Sequence, residues 1–283
     1  MYLFLLAIAC QHLISNVSQL ISQISNLQTI FKPMFNLSMA MNFLKHWSKA
    51  KNRHGIHSPF VYRLLDEVIY DFHAKKVYQE IEQLRNNLRQ DECWIINAET
   101  VALYHVAKNV STPAKLAQLL YRLVADLNPR TIIELGTSPG ITTAYLAKAA
   151  PGARHVSIME NSGALTIAKE NLQKLNIYNT ELLSGNVDEL LPILFEGISE
   201  LDFILIDGKH SSESILNYFK SCLPKMSNHS MMVFEDIYRN REMRSAWQEI
   251  KSNPEVSVTI DLFWIGLVFV RRAQSKEDFK IRF

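Results

Sequence analysis

Beyond about residue 129, short apolar runs alternate with helical patterns along the chain. The runs predict seven strands, at Thr131–Leu135, His155–Met159, Glu181–Leu183, Phe203–Ile206, Met231–Phe234, Val256–Leu262 and Gly266–Val270. Apolar residues at helical spacing lie between the first five, at Ile141–Ala149, Gly163–Leu175, Val187–Phe195 and Glu213–Leu223. This alternation predicts an α/β fold, a doubly wound and mostly parallel sheet with helices on both faces. The last two runs are too close for a crossover, so we expect them to pair antiparallel.

Residues 41–128 carry a helical pattern throughout and form the second predicted region. Ser58-Pro59 predicts a helix start, with Ser58 as the N-cap and the helix running to about Phe72. Further helices are predicted at Val77–Arg89, at Ala98–Ala107, and from Thr112-Pro113 to about Leu127. We interpret residues 41–128 as a helical cap over a substrate site and residues 129–283 as the catalytic domain.

Residues 1–40 form an N-terminal extension of unusual composition. The first 31 residues contain no Asp, Glu, Lys or Arg, and an apolar stripe at helical spacing runs from Leu13 to Phe31. One interpretation is an interfacial or partner-binding helix. The favoured one is an appended segment, translated from an upstream start, with Met39 or Met41 as the working beginning. The apolar run Met1–Ala9 is too short to span a membrane.

Composition narrows the functional classes. Thirty basic and 28 acidic residues give a formal charge of +2, which argues against electrostatic capture of nucleic acid. A hydrophobic share of 48% with 20% charged residues is typical of a globular protein. Cys10, Cys93 and Cys222 are too far apart for a disulfide framework or a zinc cluster. They indicate a reducing compartment, the cytoplasm. The pattern gives no oligomeric state and leaves a homodimer open.

The most informative motif follows the first predicted strand. Glu134-x-Gly136-x-x-x-Gly140 ends a buried strand in a glycine-containing turn, and a helix begins at Ile141. In an open α/β sheet, ligands bind at this carboxyl edge. The spacing differs from Gly-x-Gly-x-x-Gly, because Ser138 and Ile141 occupy the positions where a dinucleotide site has glycine. A nicotinamide oxidoreductase is therefore disfavoured.

Polar side chains also follow the other predicted strands. Glu160 ends the second strand, Asn186 follows the third, Asp207 ends the fourth, and Glu235-Asp236 ends the fifth. Because parallel strands end at one edge, these groups should converge there. An acid at the end of the second strand can accept hydrogen bonds from both hydroxyls of a ribose.

In this order, the motif residues resemble those of class I S-adenosylmethionine-dependent methyltransferases. The stretches Ile206–Ser211 and Val233–Ile237 are similar to the catechol-type O-methyltransferases of small molecules. The resemblance implies a Rossmann-like seven-stranded sheet with an antiparallel last strand. It also implies that the cofactor contacts Glu134, Gly136, Thr137, Ser138, Gly140, Glu160, Asn186 and Asp207.

The resemblance implies O-methylation of a small molecule, with Asp207 and His210 aiding deprotonation of its hydroxyl. In the catechol-type relatives, acids at the fourth and fifth strand ends hold a metal ion, and the resemblance implies Asp207, Glu235 and Asp236 as its candidate ligands here. Three carboxylates would suit Mg²⁺, which prefers oxygen. Catechol-type enzymes typically have Asp-Asn where this chain has Glu235-Asp236. An alternative interpretation is therefore that these acids bind no metal, and only orient the substrate or bind helix N-termini.

Several alternatives stay open at this point. An aminopropyl-transferase-like enzyme shares the fold and the acidic strand end, and a non-catalytic module would bind S-adenosylmethionine without turnover. His210 alternatively caps the following helix. We expect Tyr238, Arg239 and Arg241 on a solvated loop, and Leu262, Phe263 and Trp264 in strand and core rather than in an acceptor pocket.

Overall fold

A computed structural model describes residues 37–90, 112–136, 139–207 and 211–283. The chain divides into two compact units, with the boundary between Lys45 and His46. The predicted helices at 13–31 and 98–107, and the thiols Cys10 and Cys93, lie outside the described residues. Among the described helices, none is both long and apolar enough to cross a membrane.

Helices occupy the described residues up to position 127. They are α1 (Leu37–Lys49), α2 (Pro59–Arg63), α3 (Lys76–Gln90) and α4 (Ala114–Leu127), with a short 3-10 turn at Arg53–Gly55. The predicted N-cap of α2 is confirmed, because the Ser58 hydroxyl accepts a hydrogen bond from the Val61 amide at 3.4 Å. The predicted helix through Phe72 instead widens into a π-helix at Leu64–Ile69 and ends there. Asn128, in the left-handed conformation with φ 49°, ends α4.

The described residues form one eight-stranded sheet, in the order β3-β2-β1-β4-β5-β7-β6-β8. The strands are β1 (Thr131–Leu135), β2 (Arg154–Met159), β3 (Thr180–Ser184), β4 (Leu201–Ile206), β5 (Met226–Glu235), β6 (Val258–Asp261), β7 (Ile265–Phe269) and β8 (Glu277–Lys280). The first five pair parallel, whereas β7 pairs antiparallel with both β5 and β6. The predicted α/β class and the antiparallel pairing of the last two runs are confirmed.

The sheet has one strand more than the seven predicted. Strand β8 pairs parallel with β6 at the edge of the sheet. Its sequence Glu-Asp-Phe-Lys buries only the phenylalanine, Phe279. An edge strand with a single buried apolar residue lacks the alternation that identifies strands in a sequence.

Five helices connect the strands: α5 (Ile141–Ala149), α6 (Ser162–Lys174), α7 (Val187–Glu196), α8 (Ser212–Cys222) and α9 (Arg241–Ser252). The first four match the predicted helices closely. The expectation of a solvated loop at Arg241 is wrong, because Arg241 begins α9 and the Asn240 side chain accepts a hydrogen bond from the Met243 amide at 2.8 Å. Sparse apolar residues at helical spacing, Met243, Ala246, Trp247 and Ile250, pack this polar helix into the core.

The core lies between the sheet and its helices. Leu262, Phe263 and Trp264 are buried as expected, but they form the turn between β6 and β7 rather than a strand. Cys222 is a buried free thiol, and burial raises its pKa.

Candidate active site

The carboxyl ends of the central strands lie level with one another. The Gly136 amide donates to the Ile158 carbonyl at 3.2 Å, and the Asp207 amide donates to the Leu135 carbonyl at 2.9 Å. The Gly185 amide donates to the Met159 carbonyl at 3.1 Å. These bonds extend the parallel ladder just past the ends of β1, β3 and β4, so the residues that follow these strands begin at one edge, as the sequence predicts.

Gly136 and Asp207 meet directly at this edge. Gly136 has φ +153°, and a Cβ added there would lie 2.6 Å from Asp207 Cβ and 3.1 Å from its Oδ2. A side chain at position 136 would therefore collide with Asp207 and cover the strand end. The absence of that side chain lets Asp207 pack directly against the Gly136 backbone, which places a half-buried carboxylate at the start of the glycine-containing loop.

The loop between β1 and α5 is held by close packing. Gly140, at the N-cap of α5, has φ +85°, and a Cβ there would lie 3.0 Å from the Ala168 Cα in α6. The buried side chain of Asn171 donates to the Pro139 carbonyl at 2.7 Å. Gly140 therefore sets the approach of α5 to α6 and the position of the end of the loop that precedes α5.

Glu134 is buried and directs its carboxylate into the fold. Its Oε2 accepts a hydrogen bond from the Thr143 hydroxyl at 2.7 Å and lies 3.7 Å from His155 Nε2. Thr143 belongs to the first turn of α5. Glu134 thus ties the strand to the helix that follows the loop. This contact agrees with the predicted positioning of the loop, while direct contact with a cofactor stays a prediction.

Acids and a phenol gather near the ends of β2 and β3. Glu160 is exposed directly after β2, where its carboxylate could accept hydrogen bonds from ribose hydroxyls. Burial raises the pKa of Tyr218 in α8 to about 12, and the charges of Asp188 and Glu160 add to the increase. Asn186 is exposed and caps α7, with its Oδ1 accepting from the Asp188 amide at 2.8 Å. Asp188 and Tyr218 were not predicted as site residues.

The end of β5 is connected to the helical region by a chain of hydroxyl groups. The Thr112 hydroxyl donates to the Glu235 carboxylate, at 3.1 Å from Oε1 and 3.3 Å from Oε2. Thr142, in the first turn of α5, donates to Thr112 Oγ1 at 3.1 Å. The sequence analysis predicts Thr112 only as the start of a helix. A threonine at a helix start is commonly a cap, so no sequence signal distinguishes this role.

The three acids predicted as magnesium ligands, Asp207, Glu235 and Asp236, are not gathered into one cluster in the described structure. Across the described ranges, no group of three or more His, Cys, Asp or Glu side chains is arranged to hold a metal ion. Glu235 accepts the Thr112 hydroxyl. Asp236 has a left-handed backbone, φ +56°, and its amide donates to the Trp264 carbonyl at 2.7 Å. Binding of Mg²⁺ by these acids therefore stays a prediction.

Three predicted site residues, Thr137, Ser138 and His210, lie outside the described residues. Of the others, the structure brings Gly136 and Asp207 into contact and lines up the ends of β1, β3 and β4. Tyr238 lies in the turn after β5, but its ring is not solvated as predicted, because it stacks on buried Phe263 with centroids 4.7 Å apart.

Comparisons with known proteins agree with this geometry. Residues 133–237 match a family model described as "Methyltransferase domain". Catechol O-methyltransferase B of Danio rerio is 25% identical over 155 residues, which are 53% of this chain and 58% of that protein. An uncharacterized RNA methyltransferase of Protochlamydia amoebophila, pc0248, is 30% identical over 105 residues, which are 36% of this chain and 24% of that protein. The chain thus matches less than two thirds of either relative's length.

A solved structure shows the same fold. The O-methyltransferase TomG from Streptomyces achromogenes, in complex with SAM, aligns with a TM-score of 0.52 and 17% identity. The alignment covers 78% of this chain and 99% of that one. The matched family model spans the glycine-containing loop and the ends of β1 to β5. Residues 133–237 thus match the methyltransferase domain family, and the chain is similar in sequence to a catechol O-methyltransferase.

Proposed function

We propose that this protein uses S-adenosylmethionine to methylate an oxygen atom of a small hydroxylated molecule. The observation that carries the proposal is the contact of Gly136 with Asp207, where β1 and β4 end. Backbone without a side chain lies there beside a carboxylate, at the sheet edge where α/β folds bind their ligands. The names of the catechol-type and SAM-bound relatives support the choice of cofactor and of oxygen as the acceptor atom.

The residues at this edge suit such a cofactor. In the proposal, Gly136 and Gly140 form the loop that lies against it, and Glu134 holds that loop through Thr143. Glu160 binds the ribose hydroxyls, and Asn186 lies near the adenine. Thr137 and Ser138 complete the loop. When bound, S-adenosylmethionine supplies an electrophilic methyl group on a sulfonium.

The chain's own groups then act on the acceptor. Asp207 lies directly beside Gly136, where its carboxylate can accept a hydrogen bond from the acceptor's hydroxyl group and so orient it. His210, three residues later, is proposed as the general base that removes this proton, because a neutral imidazole accepts a proton near pH 7. Holding the acceptor in line supplies the rest of the rate enhancement.

Calorimetric titration of the folded protein with S-adenosylmethionine and S-adenosylhomocysteine tests the cofactor. We expect binding of both, and a folded protein that binds neither overturns the proposal.

In a methylation assay on a panel of hydroxylated small molecules, Asp207→Asn and His210→Ala should each lower kcat/KM by about 100-fold or more. The matched control Asp66→Asn removes an exposed carboxylate of the helical region and should leave the rate unchanged. Full activity in both site variants would remove their assigned roles.

RNA is a second candidate acceptor, because 105 residues of the chain are 30% identical to the uncharacterized RNA methyltransferase of Protochlamydia amoebophila. The near-neutral charge disfavours it, because phosphate binding relies on basic side chains. Adding structured RNA to the same assay separates the two. Methyl transfer to RNA but not to the small molecules would replace the proposed substrate class.

A further inference from the structure

Thr112 lies at the junction of three parts of the molecule. It immediately precedes the N-terminus of α4, and its hydroxyl reaches the Glu235 carboxylate at the end of β5. The same oxygen accepts the Thr142 hydroxyl from α5, the helix that follows the glycine-containing loop. The helical region therefore contributes one side chain that touches both the loop's helix and the acid at the end of β5.

The backbone of Thr112 is held as firmly as its side chain. The Arg85 guanidinium, 2% exposed, donates through Nη1 to the Thr112 carbonyl at 2.7 Å. Glu82 accepts from Arg85 Nε at 3.0 Å and from the Tyr145 hydroxyl at 2.9 Å. Because Tyr145 belongs to α5, this path joins α3 to the helix after the loop. Buried, mutually bonded polar groups of this kind restrict one another's positions.

The hydrogen bonds of the two threonine hydroxyls run in one direction, from Thr142 to Thr112 and from Thr112 to Glu235. A threonine hydroxyl has one proton to donate, and Thr112 directs its proton between the two Glu235 oxygens at 3.1 and 3.3 Å. Thr142 donates to the same oxygen, so the Thr112 proton is directed to Glu235 and not to Thr142. Such an arrangement fixes the rotation of the carboxylate at the end of its side chain.

We propose that Thr112 is a positioning residue for the methyl acceptor, acting by orienting Glu235 relative to the loop that holds the cofactor. The inference rests on the proposed function and deepens it. Glu235 is half-buried at the edge that carries Asp207, and in this proposal its carboxylate accepts a hydrogen bond from the acceptor's hydroxyl. No sequence motif assigns Thr112 to this role, and the contacts are made only in the folded chain.

The test compares Thr112→Val, which keeps the shape but removes the donor, with Thr112→Ser, which keeps the hydroxyl. For Thr112→Val we expect kcat/KM for the acceptor to fall about tenfold, the effect of one hydrogen bond to a charged group. The Kd for S-adenosylmethionine should stay within about twofold, and Thr112→Ser should restore most of the loss. Thr131→Val, the same substitution at the opposite end of β1, is the matched control and should behave as the unaltered protein.

A double-mutant cycle with Glu235→Gln identifies the partner through which Thr112 acts. We expect Thr112→Val to add little in the Glu235→Gln background, because the two changes remove one interaction. Additive losses, a Thr112→Ser variant as impaired as Thr112→Val, or a Thr112→Val variant equal to Thr131→Val would each overturn the inference.

A second variant, Thr142→Val, covers the case in which Thr112→Val does not fold. If Thr112→Val unfolds below the assay temperature, Thr142→Val replaces it, since it removes only the outer hydroxyl and should raise the acceptor KM about two- to threefold. An unaltered protein that binds no S-adenosylmethionine overturns the proposed function and this inference together. An active protein that is insensitive to Thr112→Val and Thr142→Val overturns this inference alone.

Discussion

At the scale of single residues, the position of the loop after β1 depends on the absence of a side chain at Gly140. Its φ of +85° is a conformation that costs an L-residue about 1–2 kcal/mol. A Cβ would also lie 3.0 Å from the Ala168 Cα and 3.1 Å from the Ala168 carbonyl oxygen. Because both are backbone atoms of α6, no side-chain rotation can relieve the contact.

We therefore predict that Gly140→Ala lowers the free energy of unfolding by about 2–4 kcal/mol, the sum of the conformational cost and local overpacking. It should also weaken binding of S-adenosylmethionine, since the loop must move away from α6. Urea denaturation and calorimetry measure the two effects. Gly152→Ala is the control, because a Cβ at Gly152 meets nothing within 4 Å. Equal stability of the two variants would show that the loop accommodates the side chain.

At the scale of elements, the π-helix depends on a side chain from α4. Arg122 is 5% exposed, and it donates through Nε to the Val68 carbonyl at 2.7 Å and through Nη2 to the Ile69 carbonyl at 3.2 Å. The last carbonyls of a helix have no partner within it. Arg122 supplies partners at this buried end and so joins the Leu64–Ile69 segment to α4.

Arg122→Met should accordingly destabilise the protein by about 2–4 kcal/mol, since two buried carbonyls lose a charged donor. Thermal and urea denaturation give the value. The companion variant Arg154→Met removes an exposed arginine that pairs with Glu181, and such surface pairs contribute at most about 1 kcal/mol. A loss no larger for Arg122→Met than for Arg154→Met would contradict a role of Arg122 in holding the helix end.

At the scale of the whole molecule, a buried ionic cluster joins segments far apart in the chain. Asp261 Oδ1 lies 3.0 Å from His46 Nε2, and Oδ2 accepts the Tyr238 hydroxyl at 2.8 Å. Burial acts to raise the pKa of Asp261, but the hydrogen bonds and charge from His46, with those from Tyr238 and the Phe263 amide, outweigh it. The net pKa of Asp261 is below its usual value.

Because the pKa of Asp261 is lowered in the folded state, the free energy of unfolding should decrease as the pH falls. A carboxyl whose pKa is lower in the folded state stabilises the fold above its unfolded pKa of about 3.9, and this contribution is lost as pH falls. From about pH 5 to pH 3, the unfolding free energy of the unaltered protein should fall more steeply than that of Asp261→Asn. Urea denaturation across this range measures both slopes. The exposed acid variant Glu255→Gln should retain the unaltered slope, and parallel slopes for Asp261→Asn would refute the prediction.

The sequence by itself determined the fold class and the order of the site. Strands such as β1 and helices such as α5 have the predicted bounds, because a buried strand or an amphipathic helix needs a periodic apolar pattern. Residues that follow strands of a parallel sheet must share an edge, so Asp207 could be placed near Gly136 without coordinates. Helix α9 and strand β8 were not predicted, because each has too few buried apolar residues to produce a recognisable pattern in the sequence.

Only the tertiary structure decided which polar groups meet. Glu235 was predicted from its strand, but its partner Thr112 is 123 residues away and belongs to another element. The same holds for Asp261 with His46, separated by 215 residues. A periodic pattern reports the environment of a residue along its own element. The partner of a hydrogen bond depends on how elements pack, which local spacing does not encode.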